Sequence, residues 1–181
     1  MAFTFVSGNL ALDLAGTLQN RRSARVELLG TPADLAAWTV AAGLLDAPPP
    51  VTAARLTAAV ALREAIYRLA AGGDAVGAAD LELVNAAAAR PPVQVKLGAD
   101  GSIHREGDIT AALSSVARSA VELLGGGQVV RECGDAECTR LYLDTSRHGT
   151  RRWCDMGACG NRAKVTAFRS RHGRVGLTPA D

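Results

Sequence analysis

Cys133-Gly134-Asp135-Ala136-Glu137-Cys138 and, fifteen residues on, Cys154-Asp155-Met156-Gly157-Ala158-Cys159 hold all four cysteines of the 181-residue sequence, and their reading decides the fold. Two equally spaced pairs, a hairpin's length apart, are what a tetrahedral Zn²⁺ site of four thiolates needs, with each sulfur about 2.3 Å from the metal. Each pair must turn back on itself to aim both sulfurs inward. Gly134-Asp135 and Asp155-Met156-Gly157 supply that turn chemistry. Two disulfides or four buried thiols are the alternatives. In a reducing compartment clustered cysteines are more often metal ligands, so Cys133, Cys138, Cys154 and Cys159 are read as a zinc shell.

Around the cysteines the pattern predicts a strand at Leu141-Tyr142-Leu143-Asp144, a turn at 145–149 and a returning strand at Thr150-Arg151-Arg152-Trp153. A helix should follow over about 160–170, its start beside the last thiolate, where helix amides favour negative charge. Loop, hairpin, loop and helix make a treble-clef-like module. On the helix, Val165 and Phe168 should pack against the hairpin, with Arg162, Lys164, Arg169 and Arg171 bordering a face of small residues.

Charge divides the chain at the same place. Residues 1–130 carry 10 Lys+Arg against 12 Asp+Glu, whereas 131–181 carry 10 against 6. Within 139–174 nine basic residues face only Asp144 and Asp155. A basic module on a near-neutral partner suggests a polyanion as its target. Eight of the nine are Arg, which holds phosphate bidentately. Arg151, Arg152, Asn161, Arg162, Lys164, Arg169 and Arg171 are the candidate nucleic-acid contacts. Asn161 alone among them offers both a donor and an acceptor, the pairing suited to an adenine edge; its other reading is a helix cap.

The first 128 residues are expected to be mostly helical. Thr31-Pro32-Ala33-Asp34 is a capping box with Pro at the first helical position, and Gly43 should end that helix. After Pro48-Pro49-Pro50, Thr52 should cap a helix with Leu56, Leu62, Ile66 and Leu69 as its apolar stripe, stopping at Gly72-Gly73. Leu81, Val84 and Ala88 mark a shorter helix. Val93 to Leu97 alternates as a half-buried strand, turns at Ala99-Asp100-Gly101 and returns through Ser102 to Arg105. Asp108 then starts a helix with Ile109, Leu113, Val116, Ala120 and Leu123 inward, closed by Gly125-Gly126-Gly127. The whole reads as mainly α with a small β-hairpin: a helical domain over 1–128 and a zinc module over 129–181.

With 48% hydrophobic and 21% charged residues the chain is not a disordered tail or a fibre. No apolar run reaches the roughly 20 residues of a membrane span. Residues 1–6 have neither a basic region nor a long apolar one, so no secretory signal is expected. The expected location is the cytoplasm, with no membrane partner.

Arg151-Arg152-Trp153-Cys154 through Cys159-Gly160-Asn161-Arg162-Ala163-Lys164 resembles the CGNR zinc finger, whose signature falls here on residues 159–162. Cys133, Cys138, Tyr142, Asp144 and Ser146 match its upstream half. The resemblance implies a DNA-binding module with Zn²⁺ as cofactor. Ser7-Gly8, Leu12-Asp13, Thr17 and the helix containing Trp38 resemble the ABATE domain, the usual partner of that finger. This resemblance implies a ligand-sensing domain of stress-induced transcription regulators, with an effector pocket around Leu12, Asp13, Thr17 and Trp38. The family commonly reads Leu-Asp-Phe-Val-Asn-Thr where this chain has Leu12-Asp13-Leu14-Ala15-Gly16-Thr17, so the aromatic and the Asn are replaced.

Two functions follow from these features. The first is a transcription regulator that binds duplex DNA and senses a small molecule, as a homodimer that widens the sequence one short module reads. The second is an adaptor whose basic zinc module docks a protein or RNA. An enzyme fits worst: a four-thiolate shell leaves no position for substrate, and the sequence has no phosphate loop and no G-x-S-x-G. Arg21, Arg22 and Arg25 are read as a solvated basic patch.

Overall fold

The computed structural model describes residues 3–72 and 77–172, with 171 and 172 described by backbone alone. Helix α1, Leu10–Ala15, starts at Asn9, whose side chain accepts from the amides of Ala11 and Leu12. Helix α2, Pro32–Ala41, carries the Thr31–Asp34 capping box, and Gly43 follows it at φ 68°, a left-handed turn that glycine takes without strain. Thr52 caps α3, Ala53–Ala71. Helix α4, Ala78–Ala88, precedes the Pro pair, and Asp108 caps α5, Ile109–Gly125.

Helix α1 lies against α3 and α5, and α4 spans the same two. Leu14, Leu35, Trp38, Leu62, Ile66 and Val116 are buried where these helices meet. Each such side chain contributes roughly 1.5–3 kcal/mol by leaving water. In α4 it is Val84 that reaches this core, while Leu81 stays 43% exposed.

Among the described residues three two-stranded antiparallel sheets decorate the helices. Strands β1, Leu18–Gln19, and β2, Val26–Glu27, form the first. Strands β3, Gln94–Leu97, and β4, Ile103–Glu106, form the second, with Leu97 opposite Ile103. This hairpin is where the sequence placed it, but it is not half-buried. Val95, Leu97 and Ile103 are 65%, 79% and 51% exposed. The hairpin stands off the body, held at Asp46, which exchanges backbone and carboxylate hydrogen bonds with Arg105.

The third sheet corrects the expected zinc-module hairpin. Strand β6, Leu141–Leu143, pairs not with 150–153 but with β5, Val130–Glu132, which precedes the first cysteine. Residues 150–153 form no strand, because their carbonyls serve other donors. The Arg152 carbonyl accepts from Gly134 N (2.8 Å), and the Arg151 carbonyl from the Tyr142 hydroxyl (2.5 Å). A single π-helical turn, Met156–Gly160, then leads into α6, Asn161–His172.

Helix α6 makes its main contacts with the π turn. Val165 and Phe168 are 48% and 56% exposed, so this pair is not buried as the expected packing on the hairpin requires.

Candidate metal centre

The connection from β5 to β6 carries the first cysteine pair. Its turn closes through Cys133 N to the Arg140 carbonyl and Cys138 N to the Asp135 carbonyl, both 3.0 Å. The second pair is bent by Asp155, whose carboxylate accepts from Gly157 N (2.8 Å) and whose carbonyl accepts from Gly160 N (3.0 Å).

These two turns bring the four Sγ atoms within 4.8 Å of one another. Cys138 and Cys159 each stand 3.7 Å from Cys154. Four sulfurs about 2.3 Å from a common tetrahedral centre would be about 3.8 Å apart, so the donor set fits zinc. When bound, Zn²⁺ supplies a closed structural cross-link. Cys133, Cys154 and Cys159 are buried, whereas Cys138 is half-buried.

The thiols differ in their hold on protons. The contact between Cys154 and Cys138 raises the pKa of Cys154, together with burial, and the same contact holds Cys138 down at about 5. Burial pushes Cys159 up to about 12. A cation that draws all four into thiolates must therefore displace protons.

Tyr142 is fully buried beneath the cluster, and Trp153 packs beside it. The Arg151 guanidinium lies 4.4 Å over the Tyr142 ring. It donates to the carbonyls of Trp153 (2.9 Å), Cys154 and Val6 (3.1 Å). Arg151, expected among the nucleic-acid contacts, is instead turned inward and fixes the module's shape. Arg152 is exposed, 5.4 Å from the Trp153 ring.

On α6, Arg162 Nη1 is 3.0 Å from Asp135 Oδ2, an ion pair that ties the helix to the first cysteine turn. Asn161 is exposed and donates from Nδ2 to the Gly157 carbonyl (3.0 Å), which anchors the helix start. Lys164 and Arg169 are exposed and make no ion pair among the described residues. The side chain of Arg171 lies outside the described residues.

The four residues expected to line an effector pocket are core instead. Leu12 sits in a cluster with Leu123 and Leu141, and Trp38 is buried in the helical core, its ring centroid 6.3 Å from that of Phe5. Asp13 accepts from Ser7 N (3.0 Å), with burial raising its pKa, and Thr17 donates to the Leu14 carbonyl (2.7 Å). The space lies one step along. A cavity of about 170 Å³ opens between Val6, Gly16 and Leu18 on one side and Cys138, Arg140 and Ala158 on the other. At Gly16 a Cβ would meet Arg140 Nη1 at 2.5 Å, so glycine lets this guanidinium lie against the end of α1.

The cavity sits on a polar seam. Leu143 N donates to the Ser7 carbonyl (2.8 Å), Arg140 to the Thr4 carbonyl (3.1 Å) and Arg21 N to Thr139 (3.0 Å). Arg22 pairs with Glu132. Behind the seam, Arg63 is 2% exposed and donates to both Glu27 oxygens (2.6 and 2.8 Å) and to Glu64 (2.8 Å). Glu64 also accepts from Arg21 (2.6 Å), which lies 3.8 Å over Tyr67. Arg21 thus belongs to a partly buried ion network, not to a solvated patch. The one signal for Arg63 was its place between Ala59 and Ile66 on the buried stripe of α3.

The model of the ABATE family, described as "Putative stress-induced transcription regulator", matches residues 8–127. The chain belongs to the ABATE family. The ABATE match runs from α1 through α5, and a CGNR zinc finger matches residues 130–172, from β5 through α6. A search of curated proteins finds no match. The finger's family and the four clustered sulfurs make Zn²⁺ the cofactor of this ABATE protein. No helix among its described residues is long and apolar enough to cross a membrane.

Proposed function

We propose that this ABATE protein is a cytoplasmic transcription regulator whose zinc module, residues 129–181, binds duplex DNA under the control of a small molecule met by residues 1–128. Cys133, Cys138, Cys154 and Cys159 are the zinc ligands. The observation that carries the reading is the placing of α6: the cysteine turn and the Asp135–Arg162 pair hold its base, while Lys164 and Arg169 stand exposed along its length. A helix pinned at one end and basic along its outer surface can approach a phosphate backbone or a groove. Arg152 and Arg162 flank its base, and exposed Asn161 would read a base edge. Arg171 extends the basic row in sequence.

The effector belongs at the seam, in the cavity beside Gly16 and Leu18, since Leu12, Asp13, Thr17 and Trp38 are enclosed. A molecule seated there touches both matched segments and can bias how they pack. A closed thiolate shell argues against catalysis at the metal.

The test is duplex DNA binding as a function of salt, with Lys164→Ala and Arg169→Ala beside the native chain. Each substitution should weaken binding across sequences and lower the salt slope by about one unit. An Asn161→Ala change should alter sequence preference instead. No binding of duplex by zinc-loaded, folded protein, with capture of RNA or an acidic protein, would favour the adaptor reading.

A further inference from the structure

We infer that Cys138 is a modification site, at which hydrogen peroxide entering the seam cavity oxidises the cysteine cluster and closes a Cys138–Cys154 disulfide. The four sulfurs are not equally shielded. Cys138, Cys154 and Cys159 all line the cavity, but Cys133, Cys154 and Cys159 are 6%, 3% and 5% exposed, whereas Cys138 is half-buried and is the most accessible sulfur. At about 170 Å³ the cavity admits hydrogen peroxide with room to spare, since one water takes about 30 Å³ of liquid. Arg140 and Arg162 line the same space. Partial exposure next to positive charge is the setting in which a thiolate reacts, where enclosed structural sulfurs stay inert.

The geometry also supplies the resolving partner. Cys154 Sγ is 3.7 Å from Cys138 Sγ, so modest side-chain movement reaches the S–S distance of about 2.05 Å. In the first step the Cys138 thiolate attacks one peroxide oxygen. The O–O bond breaks, sulfenic acid forms on Cys138, and the second oxygen leaves as hydroxide and takes up a proton to become water. In the second step the Cys154 thiolate attacks the sulfenic sulfur, and the S–O bond breaks as the S–S bond forms. The leaving hydroxide takes up the second proton. Two thiolates lose two electrons in all, and the peroxide gains them and ends as two waters.

The disulfide leaves two thiolates, too few to complete a four-sulfur shell, so zinc should depart. Two attachments loosen with it. The Cys154 carbonyl is held by Arg151, which also holds Val6, and Cys159 lies in the π turn on which α6 rests.

The test uses the zinc-loaded full chain and hydrogen peroxide, and it does not depend on DNA binding. Released zinc is read with a chromogenic chelator, and disulfides are mapped by alkylation and mass spectrometry. The expected result is one zinc released per disulfide, with Cys138–Cys154 formed first. Ala158→Phe, which fills the exposed wall of the cavity, should slow release severalfold while the helical content stays unchanged. Leu18→Trp narrows the same space from the helical domain and serves if the first variant binds zinc poorly. A first disulfide that excludes Cys138, zinc retained under excess peroxide, or release as fast in the narrowed variants as in the native chain would overturn the proposal.

Discussion

The Arg151 guanidinium donates to the Val6 carbonyl at 3.1 Å, across 145 residues of sequence, while its other donors reach Trp153 and Cys154. One side chain thus joins the N-terminal segment to the chain entering the second cysteine pair. Charged hydrogen bonds of this kind contribute about 1.5–3 kcal/mol each. Arg151→Ala should lower stability by about 2 kcal/mol or more and leave the salt slope of DNA binding unchanged at matched folded fraction. Arg152→Ala should do the reverse. Urea denaturation paired with DNA titration separates them, and a lowered slope in the Arg151 variant would return it to the DNA interface.

The ion network at Arg63 makes a second prediction, for acid. Burial alone would raise the Glu27 and Glu64 carboxyls, but hydrogen bonds from Arg63 and Arg21 outweigh it and hold both below the usual range. An acid with a depressed folded pKa contributes stability that is present above its unfolded pKa, about 4.5, and lost as pH falls through the folded value. Stability should therefore decline below about pH 4.5. Glu27→Gln, which takes a carboxylate from buried Arg63, should cost about 3 kcal/mol and flatten that decline. An unchanged acid profile in the variant would contradict the assignment.

Zinc binding should follow pH in the opposite region. Burial and neighbouring sulfurs push Cys154 up and Cys159 up to about 12, while Cys138 is held down at about 5. Zinc entry at pH 7 should release protons from at least Cys154 and Cys159, and apparent affinity should rise with pH. Indicator-dye titration checks this. Zinc uptake with no proton release would contradict it.

The local signals in the sequence were legible. Thr31, Pro32 and Asp34 form the expected capping box, Thr52 and Asp108 cap as expected, and the inward face of α5 is buried along its length. What the sequence hid depended on distant partners. Strand β5 is three residues long and exists because β6 returns beside it after the first cysteine turn. Residues 150–153 have strand composition, yet Gly134 and Tyr142 take their carbonyls. The cysteine cluster was readable because matched spacing alone constrains it. The seam cavity was not, since Gly16 and Arg140 meet only in the folded chain.

Most direct for the central claim is fluorescence titration of random duplex DNA with the zinc-loaded chain and with the same chain stripped by chelator. The loaded protein should bind at low salt and lose affinity steeply as salt rises, by about 0.9 in log K per log salt for each phosphate contacted. Removing zinc should release α6 and abolish that binding, and adding zinc back should restore it. Equal binding with and without zinc, or none by the loaded and folded chain, would contradict the account.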